Sequence, residues 1–230
     1  MAYTDPNSGP LADRRRTFIP VVADRWYESS FFTVAANLCS SIPNHKPVGY
    51  KTLITLHTST LTLQTFHMIT TGTKAPDFTL STATADGPKQ VTLSAEIGKK
   101  NILLLFVPMA FTGVCTTELC DISKGIGAYD SLNCTVYAIS GDNPFAQQAW
   151  AQKEGITIPL LSDYEHAVAK AYGIAYESFL PQIGLGMGGV AKRSAFLIDR
   201  DGLIQYAESN EDPKQLPDFA KIQAKLADLN

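Results

Sequence analysis

The seven residues "NILLLFV", 101–107, restrict most strongly what this chain can fold into. A strand covered on one face alternates apolar and polar side chains, whereas an apolar run without alternation has to be buried on both faces. "CTVYAIS" (134–140) and "SAFLIDR" (194–200) repeat the pattern. The intervals between these runs read as helices over Thr116–Tyr129, Pro144–Glu154 and Tyr164–Tyr172, the second with proline in its first turn. "FLIDRDGLIQYA" reads as a hairpin turning at Asp201-Gly202, and an amphipathic segment, Leu216–Leu229, closes the chain. The expected class is α/β: a central mixed sheet, partly antiparallel, with helices on both faces.

At 230 residues, 45% of them hydrophobic and 18% charged, the chain can bury one full core. A formal net charge of -3 and a pI near 5.8 argue against a nucleic-acid surface, which needs a dense basic face. No run reaches the roughly 18 apolar residues of a membrane span. Four cysteines are too few for a secreted disulfide scaffold and read as thiols of a reducing compartment, the cytoplasm.

Alternating strand and helix patterns begin only at Met68, so residues 68–230 are expected to form the folded domain. Residues 1–67 are poorly patterned, with six Lys and Arg against four Asp and Glu, and are expected to be a disordered extension. Three origins are open for it. "MITTGTKAPDF" would make a natural start, which favours a wrongly chosen initiation site; a transit peptide, which would direct the chain to an organelle, and a regulatory extension are the others.

The chemistry concentrates where the first central strand gives way to a helix, in "PMAFTGVCTTELC", 108–120. Cys115 falls in the first turn of that helix, where unpaired backbone N–H groups and the positive end of the macrodipole favour a thiolate. Free cysteines are usually inert and buried. Against that, the carboxyl end of a central strand in an open α/β sheet is where sites form.

"PMAFTGVC" matches the pattern P-x-x-x-T-x-x-C, and "CTTE" adds a glutamate three residues on. Residues 70–230, with "KAPDFTL" near their start and "AKRSAFLIDRDG" near their end, resemble the peroxiredoxins. "AFTGVCTTELC" is similar to the AhpE branch and to the bacterioferritin-comigratory, or Q-type, branch, which places a second cysteine five residues after the first. The resemblance implies a thioredoxin-like fold and thiol-dependent reduction of hydrogen peroxide and organic hydroperoxides without a metal or other cofactor. It also implies a role for each matching residue. Cys115 is the peroxidatic thiolate, Thr112 hydrogen-bonds at the peroxide and thiolate, and Pro108 covers the pocket. An arginine from a distant strand holds the thiolate; between Met68 and Asn230 only Arg193 and Arg200 are available, and Arg193 opens a strand as the family pattern requires. Glu118, one turn beyond Cys115, reads as a brace for Arg193 or as a solvated helix residue.

Cys120 is the candidate resolving thiol. Residues i and i+5 are separated by roughly 7.5 Å of helical rise and point to different faces, while a disulfide needs Cα atoms within about 7 Å. A Cys115–Cys120 bond therefore requires the helix start to unwind, as in the Q-type branch. The alternative is a packed Cys120 with an external thiol resolving the intermediate. Thioredoxin, glutaredoxin or a low-molecular thiol is the expected reductant, and a monomer or homodimer the expected assembly. Cys134 reads as strand packing, and Cys39 receives no role.

Other features are set aside. "GLGMGG" (184–189) satisfies G-x-G-x-x-G, yet a strand follows where a dinucleotide fold needs a helix, so it reads as a flexible loop near the active site. Three of four histidines precede Met68, and the one that remains, His166, reads as a helix-surface residue, which leaves no base for a Cys-His hydrolase. Trp150 and Phe145 read as helix packing. A thioredoxin-type oxidoreductase would want C-x-x-C where this chain has T-x-x-C. A redox sensor would share the site and differ in rate.

Overall fold

The computed structural model describes residues 67–230; Cys39 and the expectations for the N-terminal extension lie outside them. Seven strands form one sheet: β1 (Thr79–Thr84), β2 (Gly87–Thr92), β3 (Asn101–Phe106), β4 (Cys134–Ser140), β5 (Leu160–Ser162), β6 (Arg193–Ile198) and β7 (Ile204–Asn210). Their order is β2-β1-β5-β4-β3-β6-β7. β3, β4 and β5 are mutually parallel; β6, β7, β1 and β2 add antiparallel neighbours on either side.

The apolar runs do what their lack of alternation demands. Leu103 and Leu105 of β3 enter one core with Val136, Ala138, Ala195 and Leu197, while Ile102, Leu104 and Phe106 enter the opposite core with Tyr137, Ile139, Phe196 and Ile198. Leu103, Leu104 and Leu105 are fully buried, each contributing about 2 kcal/mol through the hydrophobic effect. The first core is closed by α2 (Gly113–Lys124), α3 (Ile126–Ser131), α4 (Pro144–Glu154) and α6 (Phe219–Asp228); the second by α5 (Ala167–Ala171) and the short α1 (Leu93–Glu96).

Local chemistry explains the helix limits. Pro144 sits in the first turn of α4, Asn143 Oδ1 accepts the Ala146 N–H at 2.9 Å, and Gly155 ends the helix in the left-handed region. Asp218 caps α6 by accepting from Lys221 N–H at 3.0 Å. The β6–β7 turn passes through Gly202 at φ +82, as the Asp201-Gly202 pair requires.

Three elements differ from expectation. The helix foreseen over Thr116–Tyr129 is two, α2 and α3, parted at Gly125. Phe145 is 63% exposed and belongs to neither core, whereas Trp150 is buried and donates its indole N–H to Thr116 Oγ1 at 3.1 Å. His166 is no surface residue of α5. It precedes the helix at φ +56 with its imidazole in a slot between Gly141 and Gly189. A Cβ at Gly141 would come within 2.2 Å of the ring, so only glycine leaves that slot open.

Candidate active site

β3 and β4 lie side by side and parallel, so the loops at their carboxyl ends meet. Asp142, just beyond β4, joins them: its Oδ2 accepts the Ala110 N–H at 2.8 Å and the Ser140 hydroxyl at 2.8 Å. Held in this way, the segment after β3 runs through buried Pro108, passes Phe111 at φ +59 and reaches Thr112 in extended conformation before α2 starts at Gly113. Thr112 gives its hydroxyl proton to the Met109 carbonyl at 2.9 Å, which leaves the oxygen lone pairs free to accept, and its own carbonyl takes the Thr116 N–H at 2.9 Å.

Cys115 is the third residue of α2 and is 1% exposed. Across from it, β6 runs antiparallel to β3 with Ser194 opposite Phe106, so Arg193 projects beside the end of β3. All three parts of its guanidinium are engaged. Nη2 donates to Cys115 Sγ at 3.1 Å, Nη1 donates to Glu118 Oε2, and Nε donates to the Pro213 carbonyl at 2.9 Å. Such a cationic donor stabilises negative charge on sulfur. Glu118 lies three residues after Cys115 on the same face of α2, which is why one guanidinium reaches both.

Arg193 and Glu118 are 1% and 2% exposed. Burial pushes the Glu118 carboxyl up to about 7 although the Arg193 charge pulls the other way. The cost of burial is visible in the geometry: Oε1 has no hydrogen-bond partner. Cys115, Arg193 and Glu118 thus converge on one site, with Thr112 at the start of the same helix and Pro108 in the loop that leads into it, and Glu118 braces Arg193 and is not solvated.

Cys120 does not belong to this cluster. It lies on the same unbroken helix, half-buried, with Sγ 3.4 Å from the Glu154 carbonyl oxygen at the end of α4. Cys115, Cys120 and Cys134 are all free thiols. Cys134 packs at the start of β4, and burial pushes its thiol up to about 12. Arg200 is exposed in the β6–β7 turn.

The sequence reading missed two contributors, Asp142 and Pro213, and placed a third, the 184–189 loop, only as lying near the active site. Asp142 carries a signal in retrospect, a carboxylate directly after the strand that neighbours β3. Pro213 contributes a backbone carbonyl, for which no side-chain pattern exists. The "GLGMGG" loop supplies Met187 and Gly188 to a cavity of about 350 Å3 shared with Pro108, Met109, Asp142 and His166.

A mixed sheet of this order, its site at the carboxyl end of β3, defines a thioredoxin-like α/β protein. Residues 71–207 match the model of the AhpC/TSA family. The chain belongs to that family, as a peroxiredoxin, a thiol-dependent peroxidase. Alkyl hydroperoxide reductase E of Mycobacterium tuberculosis is 37% identical over 146 residues, which span 63% of this chain and 88% of that protein. The chloroplastic 2-Cys peroxiredoxin BAS1 of Spinacia oleracea is 34% identical over 146 residues, 60% of this chain and 52% of that protein. Among solved structures, the peroxidoxin BcpB of Mycobacterium tuberculosis superposes with a TM-score of 0.60 at 27% identity, covering 71% of this chain and 99% of that one. AhpC of Enterococcus faecalis gives 0.59 at 28%, covering 69% and 91%.

Proposed function

We propose that residues 68–230 reduce hydrogen peroxide and organic hydroperoxides with Cys115 as the peroxidatic thiol. The observation that carries this reading is the Arg193 Nη2 to Cys115 Sγ contact of 3.1 Å at a helix start. The Cys115 thiolate attacks the terminal peroxide oxygen, the O–O bond breaks, and sulfur is oxidised to a sulfenic acid while the leaving alkoxide or hydroxide takes a proton. Thr112, its own proton committed to Met109, accepts the peroxide O–H. Arg193 faces the charge that develops on sulfur and oxygen, Glu118 fixes the guanidinium, and Pro108 excludes water.

Cys120 resolves the intermediate: its thiol displaces water from the sulfenic acid to give a disulfide, which a dithiol reductant such as thioredoxin or glutaredoxin, or two low-molecular thiols, returns to thiols. Because Cys120 faces Glu154 on an intact helix, the start of α2 unwinds first. Among the described residues no helix is long and apolar enough to cross a membrane, and we place the enzyme in the cytoplasm, or in an organelle if residues 1–67 act as a transit peptide.

The test treats the reduced protein with one equivalent of hydrogen peroxide, counts free thiols and maps disulfides by peptide mass spectrometry, with Cys115→Ser alongside. Rapid formation of a Cys115–Cys120 bond, absent from the variant, is the expected result. A Cys115 sulfenic acid with Cys120 still reduced moves resolution to an external thiol. Undiminished peroxide consumption by Cys115→Ser removes Cys115 from the reaction.

A further inference from the structure

Two of the three partners of Arg193 come from α2, a well-packed helix. The third, the Pro213 carbonyl, comes from residues 211–217, which belong to no helix or strand and expose Glu211, Asp212 and Lys214 to solvent. A guanidinium is planar, so two fixed contacts determine where its remaining N–H groups point. Here Pro213 and Glu118 are the two that aim Nη2 at Cys115. How well Arg193 is aimed therefore depends on how well an exposed segment is held.

The far end of that segment is tied by its neighbours. Asn210 Nδ2 donates to the Gln215 carbonyl at 3.3 Å, and Glu208 Oε2 accepts the Asp218 N–H at 2.9 Å. The near end is tied from elsewhere in the chain. Tyr176, in the connection between α5 and β6, donates its hydroxyl to the Glu211 carbonyl at 2.7 Å, two residues before the carbonyl that holds Arg193. Tyr176 is itself rigidly placed: its N–H reaches the Val190 carbonyl at 2.8 Å, its carbonyl takes the Gly189 N–H at 2.8 Å, and its ring packs on Phe179 with centroids 5.1 Å apart. Lys192, next to Arg193, lies 5.7 Å above the same ring and pairs with the Glu211 side chain.

We propose that Tyr176 is a positioning residue for the peroxidatic site, its hydroxyl fixing the Glu211–Pro213 backbone that sets the plane of the Arg193 guanidinium against Cys115. This rests on the reading of Cys115 and Arg193 given above. Tyr176 touches neither sulfur nor peroxide in this scheme and acts only through Arg193. Its loss should therefore matter only while Arg193 is present.

Tyr176→Phe keeps the ring and its packing and removes the O–H donor. The rate of Cys115 oxidation by hydrogen peroxide is measured by stopped flow in four full-length proteins: the parent, Tyr176→Phe, Arg193→Lys and the double variant. The loss of one fixed hydrogen bond should slow Tyr176→Phe by about five- to tenfold. In the Arg193→Lys background, where no planar fork remains to be aimed, the same change should cost less than about twofold. The melting temperature of Tyr176→Phe should stay within about 3 °C of the parent. An unchanged rate in Tyr176→Phe overturns the proposal, as does an equal loss in both backgrounds, which would mark a purely structural tyrosine. An Arg193→Lys protein as fast as the parent has a different signature: it removes Arg193 from the reaction, and the role of Tyr176 falls with it.

Discussion

Glu118→Gln tests whether the buried Glu118–Arg193 pair stabilises the fold or only orients the guanidinium. Two effects oppose each other. Removing one member of a buried pair commonly costs about 3–5 kcal/mol, because it leaves the partner's charge uncompensated. Here Arg193 keeps Cys115 Sγ and the Pro213 carbonyl, whereas the ionised Glu118 is buried with Oε1 unpartnered. Burial therefore wins and raises the carboxyl from 4.5 to about 7. A group whose value is raised on folding contributes stability fully below its unfolded value, and that contribution is lost as pH rises through the folded value. The window for Glu118 accordingly runs from about 4.5 to about 7. The shift corresponds to at most about 3 kcal/mol at 1.36 kcal/mol per unit. Urea unfolding of both proteins between about pH 4 and pH 8 should show near-equal stability at the acid end and a Glu118→Gln advantage that grows toward neutrality and then levels. Peroxide reactivity should still fall, since the neutral amide holds Arg193 less firmly. A Glu118→Gln protein less stable than the parent at about pH 8 but equal to it in acid would refute the reasoning, because the ion pair would then outweigh the burial.

Two further outcomes are expected. Burial holds the Cys134 thiol up at about 12 from 9.0, so in the folded protein near pH 8 iodoacetamide should modify Cys115 and Cys120 and spare Cys134 until urea is added; the associated stability, intact below 9.0, should be lost as pH climbs toward 12. Thr112→Val keeps the shape of the turn but removes the hydroxyl, and should slow Cys115 oxidation by about a hundredfold, in the range found for deleting one preorganised group at a reacting oxygen; a loss under about threefold in stopped flow would deny Thr112 contact with the peroxide.

What the sequence made legible follows the physics of each element. β3, β4 and β6 announced themselves because strands buried on both faces are built mainly from continuous apolar runs, with polar residues confined largely to their ends. β1 and β2, "TLSTAT" and "GPKQVT", passed unseen because an outer hairpin tolerates polar side chains, glycine and proline. β5 has only three residues, too few for a period. Cys115, Thr112 and Pro108 stood out because one short segment carries all three in the family's spacing, and Arg193 because that family pattern asks for an arginine at the start of a strand and the domain has only one other. The slot for His166 was not, since Gly141 and Gly189 are distant from it in sequence and meet only in the fold.

The same contrast bears on Cys120. In sequence it stands five residues from Cys115, and that spacing invites a disulfide; in the fold the helix between them turns the two sulfurs to different neighbours, Arg193 and Glu154. To bring them together the first turn of α2 has to surrender the Thr116 N–H to Thr112 carbonyl bond, the Thr117 hydroxyl to Gly113 carbonyl bond at 3.0 Å and the Trp150 to Thr116 bond at 3.1 Å. At about 1 kcal/mol net for each, the rearrangement costs only a few kcal/mol. That cost also keeps Cys115 paired with Arg193 while the thiol is reduced. In the proposed cycle the intact turn serves the oxidation step and the opened turn the resolution step. Because they use the same residues, a change that loosens α2 to favour the second must weaken the first.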